Sequence, residues 1–144
     1  MNILIGDAEL NDLKEYLREL ERINVDAIIV QDLALAELAK RVAPKLHLHA
    51  STQLTATNMG TVRFLERMGF TRVVLAREMS LEEIKTICRE AKAEIEVFVH
   101  GALCVCYSGQ CLMSSFIGGR SGNRGAVHNR AVCPMNLSMA RARS

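Results

Sequence analysis

The sequence predicts an α/β fold of parallel strand–helix repeats, and three observations carry that reading. Short β-branched runs alternate with longer stretches in which apolar residues recur every three or four positions. The unit repeats four times at intervals of roughly 19 to 26 residues, enough for a helix to cross over between parallel strands. Polar residues gather directly after each strand candidate, where the loops of parallel α/β proteins converge on one face.

The elements follow in order. Within residues 7–23, Leu10, Leu13, Leu17, Leu20 and Ile23 form one apolar stripe of an amphipathic helix. Residues 25–30, Val-Asp-Ala-Ile-Ile-Val, supply the first strand at 26–30, followed by polar Gln31 and Asp32 and a helix over 33–42 that Pro44 stops. A second strand at 46–49 runs into Ala50-Ser51-Thr52-Gln53, and the helix over 58–68 closes at Gly69. The third strand, 72–75, leads into Ala76-Arg77-Glu78. Ser80 with Glu83 three residues on forms a capping box for a helix reaching Ala91, whose apolar face places Cys88 in the core. The fourth strand, 95–99, ends at His100-Gly101.

This pattern places His49, Ser51, Gln53, Arg77, Glu78 and His100 on one rim, as the candidate functional residues. Each also has a plain structural use, since a residue such as Ser51 or Asp32 caps the helix that follows it. Four units occupy about 100 residues, whereas a closed (β/α)₈ barrel takes about 250. The chain therefore reads as a small open sheet or as part of a barrel.

Composition narrows the class. With 49% hydrophobic and 24% charged residues in 144, the chain is an ordinary globular sequence, neither disordered nor collagen-like. No apolar run approaches the roughly 18 to 20 residues that span a bilayer, and a cytoplasmic protein without a membrane segment is expected. The formal charge of +2 is uneven: residues 1–96 hold all 16 acids and a net −3, residues 97–144 no acid and five Arg. Such a tail is a weak sign of an RNA-binding segment. Five Cys, four of them after residue 100, do not form a secreted disulfide framework and fit a reducing compartment. Cys104 and Cys111 stand seven apart just after a strand end, a spacing unlike the common zinc patterns. Metal ligation, a catalytic thiol and inert packing all remain open on chemistry alone.

The same residues carry a resemblance. Glu96-x-Phe98-x-x-Gly101-Ala102-Leu103-Cys104, then Gly109-x-Cys111-x-Met113-Ser114, is similar to the signature of the collagenase-like U32 peptidase family. Residues 118–125, Gly-Gly-Arg-Ser-Gly-Asn-Arg-Gly, continue the likeness, and the stretches 25–32 and 49–53 resemble that family's strand-end motifs. The resemblance spans residues 2 to about 126. It implies a partial TIM-like (β/α) barrel over 1–115, with an irregular Gly/Arg-rich tail over 116–144. It also implies one of two activities: a protease of the collagenase-like kind, or an iron–sulfur protein supporting hydroxylation of tRNA, rRNA or ubiquinone. In the second case Cys104 and Cys111 fall on two of the four cysteines that hold a 4Fe-4S cluster in full-length relatives, and RNA or a peptide is the implied substrate.

Two departures accompany the likeness. Family members place about three strands ahead of Asn2, so the chain is expected to begin inside the barrel. After Ala126 the family reads Cys-Ala-Gln-Pro-Cys-Arg-Leu-Pro-Tyr, whereas this chain has Val127-His128-Asn129-Arg130-Ala131-Val132-Cys133-Pro134-Met135. A one-base shift of codons for Ala-Gln-Pro-Cys-Arg-Leu-Pro-Tyr-Glu-Leu-Val-Asp-Gly yields residues 128–140 of this chain, so a frameshift after Ala126 is the expectation, which the locus's nucleotide sequence decides. With Cys106 and Cys133 as the other available thiols, no stable cluster is expected in this chain. A fragment inactive by itself, self-associating through open sheet edges, completes the expectation.

Overall fold

The computed structural model describes residues 3–101 and 106–111, which belong to one compact unit spanning residues 1–111. The expected boundary at 115/116 lies outside the described residues. A short 3₁₀ turn, Asp7–Glu9, leads into helix α1, Leu10–Arg22. Three strand–helix units and a last strand follow: β1 Ala27–Val30, α2 Leu33–Val42, β2 His47–Ala50, α3 Met59–Arg67, β3 Phe70–Val74, α4 Leu81–Glu90 and β4 Glu94–Glu96. The strands form one parallel sheet in the order β1-β2-β3-β4, the α/β alternation the sequence predicts and one compatible with part of a (β/α) barrel.

Local chemistry sets the element ends. Asp32 caps α2 by accepting from the amides of Ala34 and Leu35 at 2.9 and 3.0 Å, and its other oxygen accepts from Ile5 N–H, anchoring the segment before α1. Asn58 caps α3, and Ser80 and Glu83 form the expected capping box on α4. Gly69 at φ +86° turns the chain from α3 into β3.

Several boundaries differ from the sequence reading. The opening turn of the expected 7–23 helix is 3₁₀. β3 begins at Phe70 rather than 72, because Phe70 is paired with Leu48 and buried against the helices. The fourth strand stops at Glu96 instead of 99. β3 ends at Val74; Leu75 N–H still donates to Glu96 O at the end of β4, but Ala76 N–H turns away to Ala56 O, so residues 97–99 have no ladder partner in β3 and lie exposed. Cys88 is exposed rather than core: the stripe of α4 that packs inward is narrow, with Ile87 buried and Ile84 and Ala91 partly so.

Burial defines the two faces of the sheet. Ile28, Val30, Leu48, Ala50, Phe70 and Val73 point into the core formed with Leu17 of α1, Leu35, Leu38 and Ala39 of α2, Val62 and Leu65 of α3, and Ile87 of α4. Each fully buried Leu contributes about 1.5–3 kcal/mol of transfer free energy, making this side the source of stability. The opposite face carries Ala27, Ile29, His47, His49, Arg72, Glu94 and Glu96, and Ile29 there is 46% exposed. The strands are thus buried chiefly on the side that faces the helices. Among the described residues, no helix is long and apolar enough to cross a membrane.

Candidate functional site

Two groups of side chains stand out, one on the bare face and one at the carboxyl ends of the strands. On the bare face the register aligns Ile29, His49, Arg72 and Glu94 side by side across all four strands. Regular alternation from Phe70 would send Arg72 toward the helices. A bulge at Thr71 prevents this: Leu48 pairs with Phe70 but His49 with Arg72, and the Thr71 hydroxyl donates to Leu48 O at 3.3 Å. Arg72 then reaches Glu94 Oε2 through Nε at 2.8 Å and Glu96 through Nη1 at 3.4 Å. The Glu94 bond raises the Arg72 pKa and lowers that of Glu94, so both stay charged and largely neutralise one another. Burial first, and the Arg72 charge second, push His49 below its ordinary value, against the upward pull of Glu94 and Glu96. His49 is therefore a neutral imidazole at pH 7, able both to donate and to accept. Sequence reading singled out His49 but missed Arg72, Glu94, Glu96 and His47. The alternation in His47-Leu48-His49-Ala50 and Glu94-Ile95-Glu96 is the signal that could have found three of them.

At the rim, the loops after β2 and β3 receive a turn from the cysteine segment. Gln110 N–H donates to Tyr107 O at 3.0 Å, closing a β-turn with Ser108 and Gly109 at its centre. Ser108 is fully buried; its N–H donates to Glu78 Oε1 at 2.7 Å and its hydroxyl to the same carboxylate at 3.1 and 3.2 Å. Arg77 N–H in turn donates to the Ser108 hydroxyl at 3.3 Å, and the Thr55 hydroxyl donates to Ser108 O at 2.7 Å. Burial pushes the Glu78 carboxyl up, but the hydrogen bonds from Ser108 and from its own backbone together hold it below the usual range. The Arg77 guanidinium lies 6.0 Å from the Phe98 ring centre.

Of the six rim candidates, Ser51, Gln53, Arg77 and Glu78 lie in these loops. Ser51 is buried and caps the following 3₁₀ turn, Thr52–Leu54, by accepting from Gln53 N–H. The side-chain oxygens of Gln53 and of Gln31, just after β1, are buried and have no hydrogen-bond partner among the described residues. A buried oxygen left so costs about 1–3 kcal/mol, and such groups concentrate where a water or ligand completes the shell. His49 sits within β2 on the bare face, not in a loop. His100 is exposed beyond β4 and takes no part in the hydrogen bonds that join the rim. Cys104 lies outside the described residues, Cys106 is half-buried, and Cys111 is exposed. Among the described residues no three His, Cys, Asp or Glu side chains are grouped to hold a metal ion; Cys104 and Cys133, two of the thiols a cluster would draw on, lie outside them. Nor does a described hydroxyl sit on a histidine: Ser51 accepts a backbone amide and Ser108 serves Glu78.

Comparison with known proteins agrees with the motifs. The model of peptidase family U32 matches residues 1–140, continuing past Ala126, where the quoted motifs stop. A 23S rRNA 5-hydroxycytidine synthase of Escherichia coli is 42% identical over 137 residues, 95% of this chain and 20% of that protein. The tRNA hydroxylation protein P of the same organism is 42% identical over 138 residues, 95% of the chain and 30% of its own length. An uncharacterized protease of Methanocaldococcus jannaschii is 40% identical over 129 residues, 86% of the chain and 31% of that protein. The chain thus spans less than a third of each of these relatives. No solved structure matches it significantly. The chain belongs to peptidase family U32.

Proposed function

We propose that this member of peptidase family U32 carries part of the substrate site of a protein supporting hydroxylation of tRNA or rRNA, and that this reading displaces peptide hydrolysis. The observation that carries it is the pair of relatives named for RNA hydroxylation, each 42% identical over 95% of the chain. Geometry favours the same side. The described residues hold no serine–histidine pair for acyl transfer. They offer instead a polar sheet face with a neutral imidazole and a rim with unsatisfied amide oxygens, groups suited to holding a polar ring by hydrogen bonds.

The test is nucleoside mass spectrometry of total tRNA and rRNA from cells with and without the locus encoding this chain. Loss of a hydroxylated nucleoside on deletion is the expected result. Unchanged nucleosides, together with release of peptides from gelatin by the purified chain, would return the hydrolase reading. The four strands among the described residues are half the number in a closed (β/α)₈ ring, so residues 1–144 alone are expected to show neither activity. Anaerobic reconstitution is likewise expected to leave no stable cluster, and about four irons per chain with a persistent visible band would overturn that.

A further inference from the structure

We propose that Glu78 is a positioning residue for the cysteine-bearing turn, and that the protein shapes this turn before any metal or substrate arrives. The inference deepens the reading above, since it concerns the segment that brings Cys106 and Cys111 to the rim. Three independent restraints meet on Ser108 and Gly109. The Glu78 carboxylate accepts both the N–H and the hydroxyl of Ser108. The Ser108 carbonyl accepts from Thr55, which itself stands in the left-handed region at φ +55°. Gly109, at φ +79°, lies so close to Gln53 that a Cβ there would overlap the Gln53 carbonyl. The turn therefore fits only with a glycine at this place, with its donors aimed at a carboxylate.

The arrangement also gives Glu78 a role other than proton transfer. Both of its oxygens lie within hydrogen-bond reach of one buried serine, whose N–H and hydroxyl it accepts, an arrangement suited to holding a loop. Such a clasp removes conformational freedom from residues 106–111 in advance, which is how a protein prepares ligands or contacts that must later converge.

The experiment is timed alkylation of the reduced 144-residue chain with N-ethylmaleimide, read cysteine by cysteine by mass spectrometry. Amide exchange of strands β1–β3 is followed alongside. Exposed Cys88 on α4 is the internal reference. In the unmodified chain Cys106 is expected to react about ten-fold more slowly than Cys88; Glu78→Ala or Ser108→Ala brings it to within about two-fold, with strand protection unchanged. Glu78→Gln, which keeps one acceptor for the Ser108 N–H, gives an intermediate rate. If Glu78→Ala loses strand protection, Gly109→Ala replaces it, since it ejects the turn by overlap alone. Cys106 reacting as fast as Cys88 in the unmodified chain overturns the proposal, as does a Cys106 rate that neither Glu78→Ala nor Gly109→Ala changes while the strands stay protected. The assay needs neither iron nor RNA, so its outcome is separate from that of the nucleoside measurement.

Discussion

The two faces of the sheet are built from alternate residues of the same strands yet do opposite work. Toward the helices, Ile28, Leu48, Phe70 and Val73 are at most 6% exposed and meet leucines from three helices. On the other side, one residue along, stand Ile29, His49, Arg72 and Glu94, with the Arg72 and Glu94 side chains 37% and 69% accessible. Parallel sheets are ordinarily covered on both faces. Here one face holds the fold together and the other presents a histidine, an arginine and two carboxylates. Apolar burial and polar exposure are separated by a single step along each strand.

Truncations should show this asymmetry most strongly. Leu48→Ala is expected to cost about 2–5 kcal/mol in a denaturant titration, as for other large-to-small core changes. Ile29→Ala, its neighbour on the bare face, should cost under about 1 kcal/mol because its side chain is already half in water. Equal losses would mean that something covers the bare face in solution.

A second copy of the chain is one such cover, and β1 and β4, the end strands of the sheet among the described residues, give it strands to pair with. Light scattering across a concentration series is expected to show species heavier than a monomer. A strictly monodisperse monomer would remove self-association from the account.

Acid should weaken the fold next. His49 has a folded pKa below its ordinary 6.5, so its neutral form is favoured in the native state. Its contribution is whole above pH 6.5 and drains away as pH falls toward the folded value. Glu66 adds to this at lower pH: its carboxyl is held down chiefly by the Ala93 N–H, with Lys92 N–H also donating, and that stability is lost as pH falls through its folded pKa. The midpoint of chemical unfolding is therefore expected to be flat near neutrality and to fall between about pH 6.5 and pH 4. A midpoint that rises on acidification would contradict the half-buried, neutral His49.

The smallest expected effect belongs to Arg72→Gln. Unfolding should change little, because this ion pair is largely solvated. The readout is His49 itself: with the cation gone and Glu94 and Glu96 still present, its imidazole resonances should titrate at a higher pH than in the parent chain. An unmoved titration would show that the aligned row across the strands is not electrostatically connected.

Most of the architecture was legible because it rests on local rules. The capping box of Ser80 and Glu83, the Asp32 cap, the stop at Gly69 and the apolar stripe of α1 all act within a few residues. Strand edges were less legible: Phe70 and residues 97–99 are apolar in either case, and only the partner strand decides whether such residues pair. Cys88 was misplaced for a similar reason. A helical stripe shows which face is apolar, not how wide a neighbour lies beneath it.

The sequence by itself determined that strands and helices alternate, that the sheet is parallel, and that polar residues follow the strands. Hydrophobic period and capping chemistry are properties of neighbouring residues. The motifs around Glu96, Gly101 and Cys111 likewise identify the family, since they are linear patterns. Only the tertiary structure decided which of these residues meet. The Thr71 bulge puts Arg72 on the same face as His49 and Glu94, and a turn about 30 residues downstream seats Ser108 on Glu78. Both depend on register and on contacts distant in the chain, where a shift of one residue exchanges the two faces of a strand and which no local period records.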